Sequence, residues 1–338
     1  MATVNTAAEE DFLRLSDPYR RELLAHCYRM LGSVHDAEDL VQETYLRAWR
    51  AYGNFEGRSS LRTWLHTIAT RACLTALEGR RRRPLPTGLG GPGDDPAGEL
   101  TERPEVPWLE PVPDVLVEPS AADPAAVVGS RESVRLAFVA ALQHLPPRQR
   151  AVLLLRDVLR WKAAEVAELL DTSTVSVNSA LQRARAQLEK AAPSEESVAE
   201  PADAAQRELL DRYVEAFVTK DVREIVRLFT EDVVWEMPPV PEWFRGPDQV
   251  ATLVSVQCPY APGEARLLPA GFNGQPGYAI YTRGPDGDHH PFALHVLTVA
   301  PGGRGISHVG CFFDTSLFAT AGLPEVLTDG DLTDGGNR

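Results

Sequence analysis

Leu145–Leu188, reading LPPRQRAVLLLRDVLRWKAAEVAELLDTSTVSVNSALQRARAQL, limits the fold of this chain more than any other stretch. Apolar Val177, Leu181, Ala184 and Leu188 recur at helical spacing. Ser176, Ser179, Gln182, Arg183 and Arg185 lie between them. Asp171, Thr172 and Ser173 just ahead are residues that cap helix N-termini. A preceding helix over Ala163–Leu170 turns Val166, Leu169 and Leu170 inward. The layout predicts a helix-turn-helix whose last helix presents short polar and basic side chains, the type that reaches base edges and phosphates. The same pattern also suits an ordinary helical hairpin with a solvated polar face, so the rest of the chain has to decide.

A length of 338 residues allows two or three domains. No apolar run reaches the eighteen residues of a membrane span, and the acidic opening Met1–Asp11 lacks a signal-peptide core. Cys27, Cys73, Cys258 and Cys311 are scattered without a CxxC pair, which predicts reduced thiols in a cytoplasmic protein and neither a disulfide frame nor a metal site. The net charge of −14 argues against a free-standing tight DNA binder. Basic residues nevertheless cluster at Arg80–Arg83 and within 145–190, the pattern expected where DNA is met inside a larger complex.

Residues 9–78 read as nearly continuous helix, broken at Gly32-Ser33. In DAEDLVQETYLRAWRAY, residues 36–52, Ala37, Leu40, Val41, Thr44, Ala48 and Trp49 form one face. Asp36, Asp39, Glu43, Arg47 and Arg50 form the other, and Asp36 can cap the helix or sit in its first turn. GNFEGRSS is a loop, and Ser59 or Ser60 can cap the next helix, which ends in the arginine run. Cations there suit both a helix C-terminus and a phosphate backbone.

DAEDLVQETYLRAW, with SSLRTWLHTIATRACLTALEGRRRR after it, resembles region 2 of sigma-70 factors of the extracytoplasmic-function group. LPPRQRAVLLLRDVLRWKAAEVAELLDTSTVSVNSALQRARAQLEKA resembles region 4 of the same factors, in the correct order. The resemblance implies two all-α sigma domains, residues 10–83 and 131–191, and a role in transcription initiation. It implies that Asp36, Asp39, Gln42, Glu43 and Arg47 dock on the clamp helices of the largest RNA polymerase subunit, with a further contact to the polymerase flap region. Asn54, Phe55, Arg58, Ser59, Arg62, His66, Arg71, Arg80 and Arg81 would meet the −10 element of promoter DNA, where a flipped base becomes readable. Phe55 can stack on that base or fill the helical core, and Trp64 reads as core. Ser173, Ser176, Asn178, Ser179, Gln182 and Arg183 would face the −35 element. Ala180 stands where many relatives carry a polar residue, which leaves base preference open.

Residues 84–130 are a Pro/Gly-rich linker with nine acidic residues against one basic, a balance of −8. A solvated tether explains that composition. The resemblance implies instead a strand that threads the RNA-exit path. Within it, PWLEPVPD resembles a linker motif of sigma factors that carry an extra C-terminal domain, with Trp108, Leu109 and Pro111 mediating cross-talk.

A second linker, 192–204, leads to helices and then strands near 266–272, 277–283, 292–300 and 305–313. This order, with LFTEDVVWEMPP and GFNGQPGYAIY, resembles a SnoaL-like domain, the α+β cone of nuclear transport factor 2, over 205–325, followed by a flexible tail at 326–338. Trp235, Trp243, Tyr278 and His295 are the candidate pocket, with Asp232 and Glu236 near its mouth. A strand His more often packs than catalyses, so a regulatory domain that senses a small-molecule ligand is expected, with no cofactor. The alternative is a SnoaL-like isomerase, cyclase or hydrolase fused to a DNA-binding regulator, using an Asp–His pair.

Overall fold

The computed structural model describes residues 10–118, 133–191 and 204–328. The expectations for 119–132, 192–203 and 329–338 lie outside the described residues. Contacts divide the chain into two units, one drawn from Met1–Arg83 and Leu109–Pro193, the other from Pro84–Trp108 and Ser194–Arg338.

The first unit is all-α. After a helical segment at 10–16 come α1 (Arg20–Leu31), α2 (Val34–Tyr52) and α3 (Leu61–Ala76). Gly32, with φ +72°, ends α1, and Ser33 Oγ accepts the Asp36 N–H to start α2. The cap is therefore Ser33, and Asp36 sits in the first turn. Region 4 supplies α4 (Leu136–Gln143), α5 (Pro147–Leu153, continued by a π turn through Val158), α6 (Ala163–Leu169) and α7 (Thr174–Ala191).

The two expected sigma domains, regions 2 and 4, pack against each other within this unit, because α1 has no polar side beyond its first turn. Nine consecutive residues, Leu23 to Leu31, are buried. A helix covered all round needs partners on every flank. Helices α2 and α3 cover one flank, and α4, α5 and the turn Asp114–Val117 cover the other. Buried arginines cross the seam. Arg29 donates from Nε to the Ser133 carbonyl (3.1 Å) and from Nη2 to Ser133 Oγ (2.6 Å). Arg150 donates to the carbonyl of Met30 and to Gln143 Oε1 (2.7 Å). Burial pushes both guanidinium pKa values down to about 10, which still leaves them charged at neutral pH.

The second unit follows the expected α+β order. Helices α8 (Ala204–Thr219), α9 (Val222–Leu228) and α10 (Pro247–Gln257) accompany one six-stranded sheet. Its strands are β1 (Phe229–Met237), β2 (Val240–Arg245), β3 (Ala265–Pro269), β4 (Gly277–Arg283), β5 (His289–Val299) and β6 (Ile306–Phe312). Their order is β2-β1-β6-β5-β4-β3, with β1 and β6 parallel and the other pairs antiparallel. Register shifts interrupt four of the five ladders, and bulges of this kind bend a sheet around its helices. A short helix, α11 (Ser316–Thr320), follows β6. His289 is buried and pairs with Leu327 through two backbone hydrogen bonds, so the tail expected from residue 326 is held at its start. Strand β2 was not foreseen.

Residues 84–108 are not a solvated tether. Their backbone is fastened to the second unit: Thr87 N–H donates to Glu236 Oε2 (3.0 Å), Gly93 N–H to the Trp243 carbonyl (2.7 Å) and Arg103 N–H to the Pro239 carbonyl (2.8 Å). In return Trp243 Nε1 donates to the Gly90 carbonyl (2.9 Å), and Gln257 Nε2 to those of Gly98 (2.7 Å) and Pro96 (3.3 Å). Pro86 and Pro96 are buried, and Leu100 packs on the aromatic core.

Candidate nucleic-acid interface

The helix-turn-helix is built as its sequence requires. Asp171 takes a positive φ of 49° in the turn, and Ser173 Oγ accepts the Ser176 N–H (3.2 Å) while contacting Ser176 Oγ (3.0 Å). Val177, Leu181 and Ala184 are buried, which turns Ser176, Asn178, Gln182 and Arg183 to solvent with Ser179 half-buried. Ser173 thus has a capping role. Arg185 is committed to a two-pronged ion pair with Asp157 (2.9 and 2.7 Å). Val175, 73% exposed, extends the same face, an apolar side chain that a pattern of polar residues does not reveal. An exposed methyl pair at a helix start is the group that meets a thymine methyl.

The region 2 residues are less free. His66 is fully buried, with Nδ1 donating to the Arg62 carbonyl (3.0 Å) and its ring against His26, so it cannot touch DNA. Its position on α3 was read as surface, but α1 covers that side. Burial holds the pKa of His66 below the ordinary range, partly offset by Glu22, and that of His26 well below. Arg62 pairs with Glu22 through both ends of its guanidinium, Nε at 2.8 Å. Glu22 was not foreseen, since the pair spans forty positions of sequence. Arg71 reaches the Leu169 carbonyl (3.5 Å), Arg80 pairs with Asp36 (2.7 Å), and Arg58 with Glu56 (2.9 Å). Asn54, Ser59 and Arg81 are exposed, and Ser60, not Ser59, caps α3. Phe55 is half-buried, 4.8 Å between centroids from Trp64 and stacked on Tyr52, so one face of its ring serves the core.

On α2, Asp39, Gln42 and Arg47 are exposed, and Arg47 pairs with Glu43 (2.6 Å). Asp36 is withdrawn from this face by Arg80 and Arg83. Leu46, 52% exposed, adds an apolar contact the charge pattern did not reveal.

The linker motif divides between the units after Trp108. Trp108 Nε1 donates to the Arg103 carbonyl (2.9 Å). Leu109 is fully buried against Gly32, where an added Cβ would lie 2.8 Å from Leu109 Cδ1. Burial of such a side chain contributes about 1.5–3 kcal/mol. Pro111 is buried beyond it. Glu110, not singled out from the sequence, accepts from Ser33 Oγ (2.8 Å) and the Val34 N–H (3.0 Å), placing a carboxylate at the positive end of α2.

In the second unit, Trp235, Tyr278 and His295 do converge, joined by Tyr213 and Phe217. His295 Nδ1 lies 2.7 Å from Tyr213 Oη, and burial pushes its pKa down to about 3, so the ring is neutral. Trp243 is not part of this cluster. It pairs with Glu236, whereas its neighbour Phe244 pairs with Trp235, and alternation sends the two to opposite faces. Asp232 and His295, which the enzyme alternative could use as an Asp–His pair, are not paired: Asp232 is exposed and accepts from Thr230 Oγ1 (2.8 Å). Carboxylate–histidine pairs in this unit are Glu236–His308 (2.7 Å), with Glu236 buried, and the surface pair Asp286–His290 (2.8 Å). Among the described residues no group of three or more His, Cys, Asp or Glu is arranged to hold a metal, and no helix is long and apolar enough to cross a membrane.

Comparison with known proteins agrees with this geometry. Residues 15–83 match the model of sigma-70 region 2, residues 135–188 that of sigma-70 region 4, and residues 210–312 that of the SnoaL-like domain. The chain is 61% identical over 319 residues to the ECF RNA polymerase sigma factor SigG of Mycobacterium tuberculosis, covering 94% of this chain and 85% of the relative. It is 31% identical over 244 residues to SigJ of the same organism, covering 70% of this chain and 69% of that one. The crystal structure of SigJ superposes with a TM-score of 0.58 at 26% identity, over 90% of this chain and 97% of the other. The chain belongs to the extracytoplasmic-function sigma factors and carries a SnoaL-like C-terminal domain. The relatives that span most of the chain are sigma factors, so the reading as an enzyme with an appended regulator is not favoured.

Proposed function

We propose that the chain binds core RNA polymerase through the exposed face of α2, with Asp39, Gln42, Glu43, Arg47 and Leu46, and through region 4 at the flap. It reads the −35 element with Ser176, Asn178, Ser179, Gln182 and Arg183 of α7, while Ser173 orders the start of that helix. It reads the −10 element with Asn54, Phe55, Arg58, Ser59, Arg62, Arg71, Arg80 and Arg81, of which Arg58, Arg62, Arg71 and Arg80 exchange internal partners for DNA on binding. Asp36 and His66 act within the protein. The observation that carries this reading is the capped α7, whose polar side is solvent-exposed along its length.

The SnoaL-like domain regulates in cis. Support comes from the linker, whose first half is fastened to that domain while Leu109 and Glu110 are seated on α1 and α2. A small ligand entering the aromatic cluster would meet the buried Trp235 Nε1, which has no hydrogen-bond partner. Run-off transcription with core polymerase tests the reading. The full chain should give a promoter-dependent transcript, and removal of 205–338 should change its yield. Absence of any transcript on promoters bound by the chain would sink the first claim, and an unchanged yield the second.

A further inference from the structure

Within the first unit a cavity of about 160 Å³ lies between the chain that leaves α3 and the start of α5. At about 30 Å³ per water it has room for about five waters, the size of a small inorganic ion and below that of a drug-sized ligand. Its ionisable lining is lopsided, with five arginines (Arg80, Arg81, Arg82, Arg83 and Arg150) against one carboxylate, Asp36. Asp36 is already shared by Arg80 and Arg83, and Arg83 also reaches Glu110. Arg80, Arg81 and Arg82 are exposed and stand at the solvent side.

The inner wall holds a second observation. Arg150 is 97% buried by its 3% exposure, and its two Nη atoms donate to the Met30, Gln143 and Leu145 carbonyls and to Gln143 Oε1. A guanidinium has five N–H groups. The fifth, on Nε, is buried with no partner. That atom does not open on the cavity, but the buried Arg150 charge beside four further cations, against one carboxylate, favours an anion there. His144, bonded to Arg82 through Nδ1 (2.8 Å), reports the local field: burial and then the Arg82 and Arg150 charges hold its pKa below the ordinary value.

We propose that this cavity binds a small phosphate-class oxyanion, held by Arg81 and Arg82 beside the buried charge of Arg150, which clamps region 2 to region 4. The bound ion joins the arginine run of region 2 to α5 of region 4, and so holds the two promoter-reading helices in their present arrangement. The site itself does not depend on the proposed function. Only its effect on promoter binding does.

The test uses the full chain in chloride buffer at constant ionic strength, titrated with orthophosphate and with pyrophosphate. Binding heat and the His144 ring resonances are followed. One saturable site is expected, with the His144 pKa rising because a nearby anion favours its charged form. Arg81→Ala and Arg82→Ala, both at exposed positions, should each weaken binding by about tenfold or more. No saturable binding, an unmoved His144, or equal binding in the double variant would overturn the site. Displacement of nothing by either ion, but a His144 shift on adding single-stranded DNA, would assign the arginines to DNA phosphates and overturn it equally. Saturating pyrophosphate should also lower affinity for a duplex promoter. Unchanged affinity with the His144 shift intact would remove the clamp and leave the site.

Discussion

The two surfaces proposed to read DNA in the sigma unit are built differently. On α7 the proposed readers are mostly short, mostly exposed and supported by a cap made within the same turn. On α3 and its flanks the expected readers are long and already occupied: Arg62 by Glu22, Arg80 by Asp36, Arg71 by a region 4 carbonyl. The first surface is presented, whereas the second is held by the same contacts that hold the unit together. On the proposed roles, duplex recognition at −35 would need little rearrangement, and contact with the −10 strand would cost internal ion pairs.

The largest blow to this contrast is Arg29→Ala. It removes both hydrogen bonds to Ser133 and opens a buried gap, so unfolding free energy should fall by on the order of 3–5 kcal/mol in urea denaturation. If region 4 is not braced by region 2, the loss will be near zero. A paired comparison sharpens the contrast. Gln182→Ala should cost about 1–3 kcal/mol in discrimination at −35 with stability unchanged. His66→Ala should cost about 2 kcal/mol in stability with −10 sequence preference unchanged. Binding assays on mutated promoters alongside thermal melts separate the two, and a His66 effect on base preference would contradict its buried position.

The smallest effect is with pH. His26 and His66 have folded-state pKa values below 6.5, so below that pH the unfolded chain binds more protons. Their contribution to stability is complete above about 6.5 and is lost as pH falls below it. The urea midpoint of the sigma unit should drop from pH 7 to pH 5, less steeply in His66→Gln. An equal drop in that variant would place the titration elsewhere.

Helix positions, the helix-turn-helix and the last four strands of the C-terminal domain were legible because periodicity and turn residues are local. The exposed side of α7 followed from Val177, Leu181 and Ala184 alone. The occupied state of Arg62 did not, because Glu22 is forty residues away and both read as ordinary surface charges. His66 was misplaced for a related reason: the amphipathic pattern of α3 assumes one covered side, and α1, buried all round, covers a second. Trp243 was grouped with Trp235 by chemistry, when the alternation of an unforeseen strand separates them. The acidic linker gave no period to read, yet it is bound.

That last contact has a consequence for how the sequence can change. Every hydrogen bond described from 84–108 to the second unit is made by linker backbone, at Thr87, Gly90, Gly93, Pro96, Gly98 and Arg103. Apart from buried Pro86 and Pro96, packed Leu100 and Gly93, where a Cβ would lie 2.9 Å from Phe244 Cε1, the partner recognises a path more than a spelling. Substitutions elsewhere that keep the bends can accumulate without loosening the strap, whereas an insertion or deletion of one residue shifts every bond beyond it. Across descendants of this chain, the length of the segment should be held more firmly than its letters.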